Sequence, residues 1–269
     1  MQYDIGAIFR DLHQRGNPFI LANAWDLGSA KMLAALGAQA IATSSAAHAF
    51  TLGRPDGQVS RDEALEHAVA MVRAVNVPVS GDFENGYGDT PEAVAETVKL
   101  AFEAGLAGIS VEDVDPATGA PYPFDEAVER FRAGAAAARA LKKDFVLVAR
   151  ADGIMTGHYD IEEALRRLAA FEAAGADCLY APVPKTWADL ERICKATTLP
   201  VNALVVGDYA KRSRAEYAAI GAARLSLGSN LSRATHRVIY DAARAMFDSG
   251  DFLPLGNSIS SRIINDLLG

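Results

Sequence analysis

Between residues 80 and 90 the chain reads SGDFENGYGDT, with Asp82 and Glu84 two apart behind the apolar run VNVPV. On a β-strand that spacing turns two side chains to one face. Carboxylates on one face repel unless a cation or an arginine neutralises them, and unpaired charges are costly to desolvate. Other acids follow similar apolar runs: Asp56 in GRPDG, Glu112 with Asp113 in GISVED, and Asp152 beside Arg150 in FVLVARAD. A hard divalent cation is the economical solution, because Mg2+ takes oxygen ligands, often one or two carboxylates with waters and substrate oxygens. Arg150 then offers a planar fork for a substrate carboxylate or a developing enolate. Thr43, Ser44, Ser45 and Ala46 add small residues where backbone N–H groups can approach an anion. Asp89 and Asp160 read instead as helix caps or turn residues.

The elements that must position these groups alternate along the chain. Apolar, β-branched runs at 19–24, 39–44, 77–83, 108–113, 145–151, 178–183, 200–206 and 224–229 each precede a segment with helical periodicity. Ser60 with Glu63 three residues on forms a capping box. Thr90 and Pro91 open another helix, and Gly105 closes it. Near-continuous apolar strands joined through helices imply a parallel sheet covered on both faces. A doubly wound sheet would favour a glycine-rich fingerprint after the first strand, but NAWDLGSA holds one glycine. The expected fold is therefore a (β/α)8 TIM barrel, a single domain over 1–269. Residues 251–269 form a C-terminal helical extension striped by Ile259, Ile263, Ile264, Leu267 and Leu268. Chemistry in such a barrel belongs at the C-terminal strand ends. That rule gathers Asp56, Asp82, Glu84, Glu112, Asp113, Arg150, Asp152 and Asn202 on one rim.

Composition narrows the function classes. The 269 residues are 50% apolar and 22% charged, with a net charge of -8. An acidic surface argues against nucleic acid and anionic membrane as partners. No apolar run reaches the roughly 18 residues of a membrane span, and the N-terminus has neither signal-peptide nor transit-peptide character. Cys178 and Cys194, the only cysteines, lack metal-site spacing and read as small buried hydrophobes of a reducing, cytoplasmic setting.

The ordered set TSSAA, LGRPDG, GDFENGYGD, SVEDV, ARAD, VNALV and RLSLGS resembles the isocitrate lyase/phosphoenolpyruvate mutase superfamily, from about residue 17 to 240. The resemblance implies a homotetramer, a dimer of dimers, that exchanges a C-terminal helix between subunits. It also implies Mg2+, with Mn2+ as an alternative, and a small 2-oxo or hydroxy carboxylic acid substrate. Carried over by position, Asp82 matches the direct metal ligand, and Asp56, Glu84 and Glu112 match acids that hold the ion mainly through waters. Ser44, Ser45 and Ala46 match the segment that grips the substrate's oxo and carboxylate oxygens. Arg150 matches the arginine that steadies the substrate, and Asn202 a polar residue near its far end. Asp56, Glu112 and Arg150 form the implied catalytic set. The shared chemistry is cleavage next to a carbonyl, with the enolate stabilised where its charge develops.

The pattern also departs from the family. The loop DVDPATGAPYPFDEA lacks the Lys-Lys/Arg-Cys-Gly-His motif of isocitrate and methylisocitrate lyases, and YAPVP after the sixth strand carries no ionisable group. A metal and enolate platform without that proton donor suits decarboxylation or C–C cleavage of a 2-oxo dicarboxylate such as oxaloacetate. Alternatives are C–P bond hydrolysis or mutation, a 2-methylisocitrate lyase-like activity, a Schiff-base aldolase using Lys185, and a non-catalytic oxo-acid binder. RLSLGSN near the eighth strand is a further candidate, for phosphate. His48 and His158 fall on the catalytic rim, whereas His13, His67 and His236 take helix positions.

Overall fold

The computed structural model describes residues 4–269. Eight parallel strands close in sequence order: β1 (Phe19–Asn23), β2 (Ile41–Ala42), β3 (Val79–Asp82), β4 (Gly108–Glu112), β5 (Val146–Arg150), β6 (Cys178–Tyr180), β7 (Val201–Leu204) and β8 (Arg224–Ser226). β8 pairs with β1 to complete the ring. All eight expected strands are present, shorter than their apolar runs because the run ends become rim loops.

Helices follow the strands and cover the barrel. They are α2 (Leu27–Ala35), α3 (Ser45–Thr51), α4 (Arg61–Ala74), α5 (Pro91–Glu103), α6 (Phe124–Arg139), α7 (Ile161–Ala173), α8 (Trp187–Lys195), α9 (Arg214–Ala219) and α10 (Asn230–Ser249). The Ser60–Glu63 capping box opens α4, Thr90 caps α5 with Pro91 behind it, and Asp160 caps α7. Each side-chain oxygen accepts N–H groups that the first helical turn leaves unpaired.

The core has two layers. Helix faces and outward strand residues such as Ile109, Val111 and Leu147 form the larger one. The barrel interior holds a smaller one, including Leu21, Ala42, Val148 and Tyr180. A helix before the barrel, α1 (Ile5–Asp11), sends Phe9 into this inner cluster beside Phe19. It approaches so closely that a Cβ on Gly6 would lie 1.8 Å from the Asp144 carbonyl oxygen. Arg10 on the same helix forms ion pairs with Asp144 and Asp177, each at 2.6 Å.

After α10 the chain reaches a last helix, α11 (Ser261–Leu268), which rests against α2 of its own chain. Lys31 Nζ donates to the Leu268 carbonyl at 3.0 Å. Exchange of this helix with a neighbour therefore rests on the family resemblance alone. Val238, Ile239 and Phe247 on α10, with Phe252 and Leu253 beyond it, remain exposed.

Candidate active site

A cavity of ≈ 220 Å³ opens at the C-terminal strand ends. Ser44, Ser45, Ala46, Asp56, Asp82, Glu112, Arg150 and Asp152 line it, with Tyr180, Arg224 and Ser226 around its floor. The register explains the gathering. Paired residues on neighbouring strands point the same way, and Asp82 faces Ser110, Glu112 faces Arg150, and Arg150 faces Tyr180.

Arg150 is the hub. Its Nη1 stands 2.8 Å from both Asp82 Oδ1 and Glu112 Oε1, and its Nε and Nη2 donate to the two oxygens of Asp152 at 2.9 and 2.8 Å. Burial opposes the charge, but Asp152, Glu112 and Asp82 outweigh it and raise the Arg150 pKa. Burial also raises Glu112 and Asp152, against the pull of Arg150.

Asp82 is tied from several sides. Ser45 donates its backbone N–H and hydroxyl to Asp82 Oδ2 at 3.1 and 3.2 Å, and the Asp82 N–H donates to Thr43 Oγ1 at 2.9 Å. Ser44 caps α3 by accepting the Ala47 N–H. Asp56 arrives from the loop after α3, its carboxyl raised by burial and by Asp82.

Glu84 reaches this neighbourhood by a route that strand periodicity does not describe. β3 ends at Asp82, and Glu84 (φ 47°), Gly86 (φ 88°) and Tyr87 (φ 56°) all take left-handed backbone. Such conformations are rare for side-chain-bearing residues and persist only where surroundings enforce them. The enforcement comes from Arg130 on α6. Its Nε donates to the Asp89 carbonyl at 2.9 Å, and its Nη2 to the Asn85 and Gly88 carbonyls at 2.6 and 2.7 Å. Glu84 is buried, and burial followed by Asp82 and Asp56 pushes its carboxyl up to about 7.

The donor set fits a hard divalent ion held mostly through water. Glu84 Oε1 and the Tyr87 hydroxyl are buried without hydrogen-bond partners, and the acids raise the Tyr87 pKa after burial does. Among the described residues no three His, Cys, Asp or Glu side chains form a direct ligand cage. One carboxylate with intervening waters is a coordination Mg2+ accepts.

Several expected residues fall elsewhere. Asp113 does not join Glu112 in the cavity, because adjacent strand-end residues face opposite sides. It is buried outside the barrel, 2.9 Å from Arg167 Nη1, and accepts from the Tyr159 hydroxyl and the Asp152 N–H. Asn202 does not line the cavity: fully buried, it donates to Ser226 Oγ and accepts from Arg224 Nε, both at 2.8 Å. His48 stacks on His67 with ring centroids 3.7 Å apart, and His158 is exposed on a loop. Lys185 is exposed and lines a separate groove with Asp160 and Asp189. In RLSLGSN, the Leu227 and Gly228 amides already donate to Asn23 Oδ1 at 2.8 and 2.9 Å, so they do not cradle a phosphate. Cys178 and Cys194 are free and buried, as expected.

Sequence reading missed Arg130, Arg167, Tyr180, Asn23 and Arg224. A signal existed for Arg224, a charge opening a strand between the apolar residues Ala223 and Leu225. Arg130 and Arg167 look like ordinary surface positions of amphipathic helices.

A closed parallel barrel with acids and an arginine at its C-terminal mouth defines a (β/α)8-barrel enzyme. The sequence model of the phosphoenolpyruvate phosphomutase family matches residues 9–247, and the chain belongs to that family. It is 33% identical to an uncharacterised protein of Mycobacterium tuberculosis strain H37Rv, over 91% of each chain. It is 28% identical to an oxaloacetate decarboxylase of Chromohalobacter salexigens, over 92% of this chain and 87% of that one. A crystal structure from Burkholderia cenocepacia J2315, provisionally described as a lyase/mutase, superposes with a TM-score of 0.93 at 40% identity, covering 97% of this chain and 94% of that one. The superfamily and barrel expected from the sequence are thus both found.

Proposed function

We propose that the protein is a divalent-metal-assisted carbon–carbon lyase, decarboxylase-like, acting next to the carbonyl of a small 2-oxo dicarboxylate such as oxaloacetate. The observation that carries the reading is the Arg150 hub, where one guanidinium is shared among Asp82, Glu112 and Asp152 beside the unpartnered Glu84 oxygen. Asp82 would hold Mg2+, or Mn2+, directly, with Asp56, Glu84 and Glu112 acting mainly through waters. When bound, the ion supplies Lewis-acid stabilisation of the negative charge that develops on the 2-oxo oxygen.

The chain's own residues orient and shield. Arg150 is fixed by its acids and has little freedom to lose when it meets a substrate carboxylate or enolate oxygen. The Ser44–Ala46 segment offers small residues against the same oxygens. Asp113 accepts the Asp152 N–H, which sets the carboxylate that clamps Arg150. The loop between β4 and α6 carries no Cys, Lys or His, and water can supply the proton that quenches the enolate. The relatives' lyase activities support the class. The placement of Lys185 outside the cavity disfavours a Schiff base.

The reading includes a cytoplasmic homotetramer. Its support is the exposed apolar row on α10 and the segment after it, an area that a second copy would cover. Removal of residues 251–269 is expected to lower the mass in light scattering, and an unchanged mass removes that part. The main test is a screen of C4 to C6 oxo and hydroxy acids with Mg2+, with Mn2+ and with EDTA. Turnover that needs the metal is expected. A folded protein that turns over none of them refutes the reading.

A further inference from the structure

The cavity contains one cation that no acid answers. Arg150 is neutralised by three carboxylates, whereas Arg224, which also lines the cavity, makes no ion pair among the described residues. Arg224 is 3% exposed. Its Nε donates to Asn202 Oδ1, and its Nη1 is buried without a partner. A guanidinium buried without a counter-charge is costly, and truncated or missing partners are what such costs usually signal. His13 lies close enough to feel the charge but is no counterion, since burial and Arg224 itself hold it neutral with a pKa of about 3.

The placement has a direction. In a closed ring of eight strands, β8 stands four steps from β4; Arg224 opens β8 at the cavity floor, and Glu112 ends β4 at the rim on the opposite side of the barrel. Gly228 and Ser229 line the β8 side of the cavity above the end of that strand, where the twenty-residue α10 begins with no side-chain cap. The dipole at that helix start favours negative charge as well. The acids and Arg150 stand at the strand ends, and the cation without a counter-charge stands at the floor below them. A volume of ≈ 220 Å³ equals about seven waters at ~30 Å³ each, enough for a small diacid reaching from the rim to the floor.

We propose that Arg224 receives the second carboxylate of the substrate, so that the site selects dianionic acids over acids with one carboxylate. The head of the molecule, a carboxylate with its neighbouring oxo or hydroxyl oxygen, lies at Asp82 and Arg150, and the far carboxylate lies on Arg224. Asn202 is a positioning residue that fixes the guanidinium through Nε. This assignment rests on the reading that the cavity takes small oxo acids.

Lactate and malate share a 2-hydroxy acid head and differ by one carboxylate, so calorimetric titration of both in saturating Mg2+ isolates the far group. Wild-type protein is expected to bind malate at least about 30-fold tighter than lactate. In Arg224→Gln the preference falls to about threefold or less while the lactate Kd is unchanged, which also shows that the variant is folded. Arg224→Lys keeps part of the preference, and it carries the test if thermal melts show that Arg224→Gln is unfolded. Equal weakening of both ligands in the variant, or a malate preference that survives it, overturns the assignment. A wild-type protein that binds both acids alike overturns Arg224 as receptor and leaves the lyase reading standing. One that binds neither, and turns over no oxo acid, overturns both.

Discussion

Replacing Arg130 by Met removes the brace of the turn that carries Glu84 and leaves most of the side-chain stem in place. The guanidinium makes three hydrogen bonds to the carbonyls of Asn85, Gly88 and Asp89 and sits 3.8 Å above the Tyr122 ring. Hydrogen bonds from a charged donor contribute ~1.5–3 kcal/mol each, so three amount to about 4.5–9 kcal/mol before offsets. The stacking on Tyr122 adds ~1–2 kcal/mol. Against this stand the desolvation of a buried cation, which the variant no longer bears, and water that can enter to satisfy some of the freed carbonyls. The net loss expected is ~3–5 kcal/mol. Urea denaturation monitored by far-UV circular dichroism measures it, and calorimetry with Mg2+ alone should show weaker ion binding because Glu84 is no longer held beside Asp82. A loss below about 1 kcal/mol with an unchanged Mg2+ Kd would refute the claim that Arg130 enforces this turn.

The acids should separate by role: Asp82→Asn is expected to abolish Mg2+ binding and turnover together, whereas Glu84→Gln weakens the ion about tenfold and leaves residual turnover, both read by calorimetry and rate. Lys185→Ala should leave turnover within about twofold, and borohydride with a 2-oxo acid should not label the protein; labelling at Lys185 would restore the Schiff-base mechanism. His67 gives a pH dependence of stability. Burial, then neighbouring His48, holds its pKa at about 4 against 6.5 in the unfolded chain. The unfolded state therefore takes the proton first, so stability present above pH 6.5 is lost as pH falls toward 4. His67→Phe should flatten that slope, by up to about 3 kcal/mol at pH 4, in urea titrations across the window.

The alternation of strands and helices was legible because each helix announces its start with a cap such as Ser60 or Thr90, and each strand is a short apolar run. The rim acids were legible because strand ends in a barrel converge. What could not be read was the facing of neighbouring residues at a strand end. Glu112 enters the cavity and Asp113 leaves it for Arg167, yet the sequence presents them as one acidic pair. The Asp82–Glu84 spacing led to the correct neighbourhood for the wrong reason, since the strand stops between them and a left-handed turn does the work. The partners that make the turn and the floor, Arg130 and Arg224, come from segments distant in sequence, and only folding shows which charge meets which carbonyl.

The α1 helix has a consequence for traffic through the barrel. With Phe9 seated among Phe19, Val146 and Cys178, the end of the barrel opposite the acids is stoppered by apolar side chains. Anything bound above Arg224 enters and departs by the same mouth. A departing product and an arriving substrate must therefore take turns, and any product retained at Arg150 competes directly with the next substrate. Inhibition by product should accordingly be competitive, a kinetic signature written by a helix that touches neither molecule.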